Sequence, residues 1–243
     1  MQNRYAADVG DFGKFGMLRL LERQGLRIGV NWYLAGDESH NQDGKHVGYL
    51  NDKKFNHCDD ELLYQLGQII LSGHRSVKAL EDRKLLEDGT YFGELLVPPK
   101  QAGSEFRVQW HQRGLSALVS ADIVFLDPDN GLLWRDKCRG RKESVKCVCE
   151  EEILDDYRRG QSVVFYNHRT HEQLDVYLKR FERLFGHEVL SGAALRGLTF
   201  RRGTTRDYFF LLKPEHVALV DAAIEEMMSG VWKEHFAKIT MPV

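Results

Sequence analysis

Ile123-Val124-Phe125-Leu126-Asp127-Pro128-Asp129-Asn130-Gly131 decides the fold class of this chain. Four consecutive apolar residues stopped by proline and glycine read as a strand buried on both faces, the habit of a parallel sheet. Pro128 cannot donate to a sheet ladder, so pairing stops there. Asp129 and Asn130-Gly131 favour a tight turn. Asp127 is therefore placed at the carboxyl end of an interior strand, the edge at which open α/β sheets bind ligands. Two carboxylates and a carboxamide so close together make this edge the candidate active site, with Asp127, Asp129 and Asn130 as its reacting groups. Turn chemistry alone also favours aspartate and asparagine here.

Outward from that strand, helical and strand patterns alternate. Helices are predicted over Phe12–Gln24, Asp59–Leu71, Val77–Leu86, Gly114–Val119, Glu150–Arg159, His171–Phe185 and Val217–Met228. Strands are predicted over Leu26–Leu34, Thr90–Val97, Phe106–Trp110, Ser162–Asn167, His187–Leu190 and Tyr208–Leu212. The alternation implies a single α/β domain over 1–243 with a largely parallel, Rossmann-like sheet. Residues 40–88 form a helical insertion after the first strand.

The 243 residues are 42% hydrophobic, enough for a sizeable core without staples. A net charge of −2 gives no global cationic field to draw the chain onto nucleic acid, so such contact must come from local patches. No apolar run approaches the ~18 residues of a membrane span. The polar start shows no signal-peptide core, and the four cysteines read as reduced thiols, which together imply a cytoplasmic protein.

The element order and several local strings resemble the bacterial large-subunit ribosomal RNA adenine-N6 methyltransferases. The strings are Arg4 with Val9-Gly10-Asp11-Phe12-Gly13-Lys14, the insertion at 40–88, Phe92-Gly93-Glu94-Leu95, Arg107-Val108-Gln109, Asp127-Pro128, Val163-Val164-Phe165-Tyr166, and Arg196-Gly197-Leu198-Thr199 with Tyr208 to Pro214. The resemblance implies a class I methyltransferase-like fold, S-adenosylmethionine as cofactor and a nucleic-acid amine as acceptor. Asp127 would then accept a hydrogen of the amine, and Asn130 would supply a second acceptor. Asp11 and Lys14 would line the cofactor pocket, Gly36 would be the glycine of its loop, Asp37 or Glu38 would hold its ammonium, and Glu94 its ribose hydroxyls. His168, Arg169, Arg201 and Arg202 would contact substrate. Besides Gln112-Arg113-Gly114, which stands where the family has an aspartate for the adenine amine, the chain departs from the family at two points. Its cofactor loop, Leu34 to His40, has one glycine instead of Gly-x-Gly, and the family's Asp-Pro-Pro-Tyr is Asp127-Pro128-Asp129-Asn130 here. The second change removes the ring that stacks on a flipped base; Tyr166, Phe92 and Trp134 are candidates to replace it.

A second chemistry is open to the same edge. Asp37, Glu38 and His40 follow one strand, Asp127 and Asp129 another, and Asn167, His168 and His171 a third. Carboxylates and histidines converging there would suit Mg²⁺ or Mn²⁺ and metal-dependent phosphodiester hydrolysis. Clustered acids repel, so a metal, another cation or a proton must neutralise them. The third possibility is a binding module without catalysis. Two basic stretches bear on a nucleic-acid partner: Arg135, Lys137, Arg139, Arg141, Lys142 and Lys146 after the turn, and Arg196, Arg201, Arg202 and Arg206 with Phe200 and Tyr208 interleaved. Charge runs are also ordinary solvated loops. Cys138, Cys147 and Cys149 lack the spacing of a zinc site. The loop from Asp43 to Gly48 is a surface loop within reach of the pocket.

Overall fold

The computed structural model describes residues 1–37, 44–97, 105–133, 142–169, 171–202 and 204–241. Glu38, His40, Asp43, Trp134 and the basic run from Arg135 to Arg141 lie outside them.

Seven strands form one sheet in the order β2-β1-β3-β6-β8-β7-β9. β1 (Ile28–Asn31), β2 (Thr90–Phe92), β3 (Ile123–Leu126) and β6 (Ser162–His168) run parallel. β7 (Ala194–Arg202), β8 (Thr204–Leu212) and β9 (Phe236–Lys238) complete it with antiparallel pairing, so the sheet is mixed. The chain passes from β1 outward to β2, then returns to place β3 on the other side of β1. That reversal is a topological switch point, and the crevice it leaves lies beyond the carboxyl ends of β1 and β3. A separate two-stranded pair, β4 (Gly131–Leu132) with β5 (Cys147–Val148), follows the Asp127 turn.

Period-two alternation divides the core between the two sheet faces. Ile28, Val30, Ile123, Phe125, Val164, Tyr208 and Phe210 pack with α1 (Val9–Arg23), α2 (Asp60–Leu71), α3 (Val77–Asp82) and α8 (Pro214–Ser229). Val124, Leu126, Val163, Phe165, Phe209 and Leu211 pack with α4 (Glu105–Ala117), α5 (Glu150–Arg158), α6 (Leu174–Leu178) and α7 (Glu182–Phe185).

α1 starts at Val9, three residues before the predicted start, because Asp8 caps it by accepting from Gly10 and Asp11 N–H. Its glycines at 10, 13 and 16 let it lie close on its neighbours. A Cβ would sit 2.5 Å from Arg206 at Gly10, 2.7 Å from the Phe200 ring at Gly13 and 2.3 Å from Trp232 at Gly16.

Two predicted strands are corrected. Phe106–Trp110 belongs to α4, where Trp110, Gly114 and Leu115 share a buried helical face; the short alternation of Phe106, Val108 and Trp110 imitated a strand. Residues Glu188–Leu190 form a 3₁₀ turn, and the strand predicted there begins later, at Ala194. The long helix predicted over 171–185 is broken into α6, a 3₁₀ turn and α7. The first two strands are shorter than predicted. α2 and α3 lie between β1 and β2, where the helical insertion was expected. Among the described residues no helix is long and apolar enough to cross a membrane. Cys58 and Cys147 are buried, whereas Cys149 is disulfide-bonded, against the expectation of reduced thiols throughout.

Candidate active site

β3 delivers Asp127 to the carboxyl edge with the parity of Ile123 and Phe125, the face that α1 covers. Its N–H still donates to Asn31 C=O at 2.9 Å, the last rung towards β1. Its carboxylate is 9% exposed and meets Lys14, which α1 brings over the strand end. Lys14 Nζ lies 2.6 Å from Asp127 Oδ2 and 2.6 Å from Asp11 Oδ1. Burial alone would lower the Lys14 pKa, but Asp11 and Asp127 outweigh it and raise it, so Lys14 is a fixed cation at neutral pH. Burial raises both acids, with Lys14 opposing. Asp127 Oδ1 accepts no hydrogen bond from a described residue, and Asp127 lines a cavity of about 520 Å³.

The start of α1 is held by a strained turn. Ala7, fully buried, has φ 62°. Its N–H donates to Asp11 Oδ2 at 2.7 Å and its carbonyl accepts from Tyr49 OH at 3.1 Å. A non-glycine residue in this region persists only where its surroundings impose it. Here they set Asp11, and through it Lys14, against Asp127.

The turn after Asp127 is pinned from both sides. Asp129 pairs with the Met1 α-ammonium at 2.6 Å and accepts from Gln2 Nε2 at 2.7 Å. The same ammonium donates to the carbonyls of Tyr33 and Asp127. Asn130 N–H donates to Lys146 C=O, and its side chain is exposed at the cavity. Gly131 has φ 96°, and a Cβ there would fall 1.9 Å from Asn167 Oδ1. That oxygen accepts from Leu132 N–H at 2.9 Å, while Asn167 Nδ2 donates to Tyr177 OH at 2.7 Å.

Asp127, Asp129, Asn130, Asp11 and Lys14 therefore line one cavity, as does His168 at the end of β6. Other predicted site residues do not join them. Gly36 and Asp37 are exposed, Asp37 Oδ1 accepting from Arg4 N–H at 3.3 Å. Glu94, exposed, pairs with Arg113 at 2.7 Å. Arg169 is spent on Asp207 and Thr199, where it ties β6 to the β7–β8 hairpin. Arg202 is bound to His235 and the Glu234 carbonyl, and Arg201 is an exposed strand-end residue. None of these six lines the cavity. Glu38 is outside the described residues.

The cavity is also lined by Asp8, to which the sequence assigns no role, and by Arg206 and Tyr208, to which it assigns none beyond membership of a basic stretch. The signal for the last two was the period-two alternation of β8, which sets Arg206 and Tyr208 on one face. β6 alternates likewise with Tyr166 and His168, and the register pairs Tyr166 with Tyr208 and His168 with Arg206.

The described residues assemble the expected cofactor set only in part. Of the six residues, Asp11 and Lys14 converge. Met1 covers the carboxyl edge of β1, its carbonyl accepting from Ala35 N–H at 2.8 Å. Among the described residues Gly36, Asp37 and Glu94 do not line the cavity with Asp11 and Lys14. For the metal reading, the clustered acids already have cations from the chain itself, Lys14 and the Met1 ammonium. Among the described residues no three histidines, cysteines or acids converge as ligands.

No family model matches this chain, and no curated protein matches it.

Proposed function

We propose that the cavity receives an amino-bearing nucleobase and that Asp127 accepts a hydrogen of its exocyclic amine. The activity this arrangement would serve is group transfer to that amine, methyl transfer being what the resemblance implies. A class I methyltransferase-like origin for the fold, a nucleic-acid partner and a cytoplasmic setting are parts of the same proposal.

One observation carries the reading. Asp127 offers a carboxylate oxygen unshared with any described residue, at the carboxyl edge of a central strand, into a cavity that also presents Asn130 and the rings of Tyr166 and Tyr208. An ionised carboxylate only accepts hydrogen bonds, so it selects an amino group over a carbonyl at that point. Lys14 supports that role by keeping one carboxylate oxygen engaged and the group oriented. Tyr166, half-buried beside Asp127, supplies the ring that the altered turn lost.

Calorimetric titration with amino and keto nucleotide pairs, AMP against IMP and CMP against UMP, tests this. The wild-type protein should prefer the amino member of a pair, and Asp127→Asn should lose the preference. Equal affinity within both pairs in the wild-type protein would overturn the assignment. A parallel titration with S-adenosylmethionine in chelator, followed by a methyl-transfer assay on bulk RNA and DNA, asks whether the amine is a methyl acceptor. Selective amine binding without transfer would favour the binding module.

A further inference from the structure

We infer that Arg206, with Tyr208 and Tyr166, forms a phosphate-binding subsite in this cavity, so that its ligand is a nucleotide or a nucleic-acid strand rather than a free base. The inference rests on the amine reading for what lies at the other end of the ligand, but not for the phosphate itself.

Arg206 is only 11% exposed in its side chain, yet it lines the cavity. Its hydrogen-bonding capacity is poorly used. One terminal nitrogen donates to the Arg202 carbonyl at 2.8 Å, and the other reaches Asp8 Oδ2 at 3.3 Å. Its Nε has no described partner. Asp8 is the one carboxylate within ion-pair distance among the described residues, and its other oxygen is committed to capping α1 through Gly10 and Asp11 N–H. A buried guanidinium offset by a single long ion pair retains a directed positive charge. Its planar fork suits two phosphate oxygens at once.

The position of this guanidinium is imposed by the fold. It lies against the first turn of α1, where a Cβ at Gly10 would come within 2.5 Å of Nε. Any side chain at position 10 would displace it. The subsite is therefore built before ligand arrives, which lowers the ordering cost of binding.

Tyr208 and Tyr166 supply hydroxyls beside Arg206. Burial raises both phenols, Arg206 opposing, so both remain O–H donors at neutral pH. Tyr208, 1% exposed, makes no side-chain hydrogen bond with a described residue, although it lines the cavity. A phosphate would accept from it.

The spacing fits one nucleotide. Asp127 lies one step past the Leu126–Phe165 pair, beside Tyr166, which pairs with Tyr208; Arg206 is two residues along β8. Two inter-strand steps and two residues place the backbones of Asp127 and Arg206 about 12 Å apart, with the tyrosines between them. A base with its amine at Asp127 and its ring along the tyrosines would direct its phosphate towards Arg206.

The experiment is a set of calorimetric titrations with inorganic phosphate, adenosine, AMP and a short oligoadenylate. AMP should bind roughly ten- to a hundredfold more tightly than adenosine, the range of a charge-assisted hydrogen-bond set. Inorganic phosphate should compete with AMP. Arg206→Gln should remove both effects while leaving adenosine affinity within about twofold of the wild type. Tyr208→Phe, which keeps the ring, should weaken AMP by a smaller factor and guards against a folding defect in the arginine variant. A preference for oligoadenylate over AMP identifies a strand as the source of the phosphate; the reverse identifies a free nucleotide. Phosphate competition lost in Arg206→Gln, with AMP and IMP binding equally, would keep the subsite and discard the amine reading. No competition by phosphate, or AMP affinity unchanged in both variants, would overturn the subsite.

Discussion

Lys14 Nζ donates to Asp127 Oδ2 at 2.6 Å, joining the first helix to the end of the third strand across 113 residues of chain. The same ammonium holds Asp11, so one buried cation serves two buried carboxylates.

Removing that cation should be costly. Lys14→Met leaves Asp11 and Asp127 facing each other without the ammonium that bridges them. Breaking a buried pair from one side costs about 3–5 kcal/mol. Urea denaturation at pH 7 should show a loss of that size. Adding Asp11→Asn to Lys14→Met should recover part of it, because one of the two repelling charges is gone.

Asp156 should make stability depend on pH. It is 3% exposed, and burial, opposed by Arg159 at 3.6 Å, raises its pKa from 3.8 to about 7. Between those values the folded protein holds a proton that the unfolded chain has released. Stability is therefore greatest at the acid end of that window and falls as pH rises from about 4 to 7, by an upper bound of roughly 4 kcal/mol from this group. Asp156→Asn should be more stable than the wild type at pH 8 and should flatten the slope in denaturation curves taken across the window.

The glycine face of α1 should resist substitution despite the helix propensity of alanine. Gly16→Ala gains about 1 kcal/mol of propensity. It also forces a Cβ to within 2.3 Å of Trp232, and overpacking typically costs 1–3 kcal/mol. The tryptophan ring is buried and cannot move aside, so a net loss in melting temperature is expected. Gly13→Ala, against Phe200, should behave similarly and should weaken ligand binding as well, because it lifts the turn that carries Lys14.

Asn167 should hold the Asp127 turn in place. Its side chain bonds Leu132 N–H and Tyr177 OH, both buried. Asn167→Ala leaves the buried Leu132 N–H unsatisfied and takes a donor from the Tyr177 hydroxyl, at about 1–3 kcal/mol. Gly131→Ala should be worse, since it adds a positive φ to a 1.9 Å clash with the same side chain. For both, the amino-over-keto preference should shrink along with stability. An undiminished preference in a destabilised Asn167→Ala protein would show that Asp127 is positioned without this contact.

The strand at Ile123, the polar turn after it and the alternation of helix and strand were legible because each leaves a short-range mark: an apolar run, a proline and glycine stop, a change of period. α4 was misread at Phe106–Trp110 because five residues satisfied two periods at once, and burial of Trp110, Gly114 and Leu115 settled which one applied. Asp127, Asp11 and Lys14 could each be nominated from sequence, but their meeting could not. Arg169 and Arg202 were nominated as substrate ligands, yet both are engaged inside the fold, while Arg206, from the same basic stretch as Arg202, faces the cavity.

The sequence by itself determined that this chain alternates helices with strands and places a carboxylate at the end of a buried strand, because those features follow from local apolar periodicity and turn chemistry. The tertiary structure alone decided which charges are spent on one another and which remain for a ligand. Ion pairing depends on distances of a few ångströms between residues a hundred or more positions apart, and no local pattern encodes those distances.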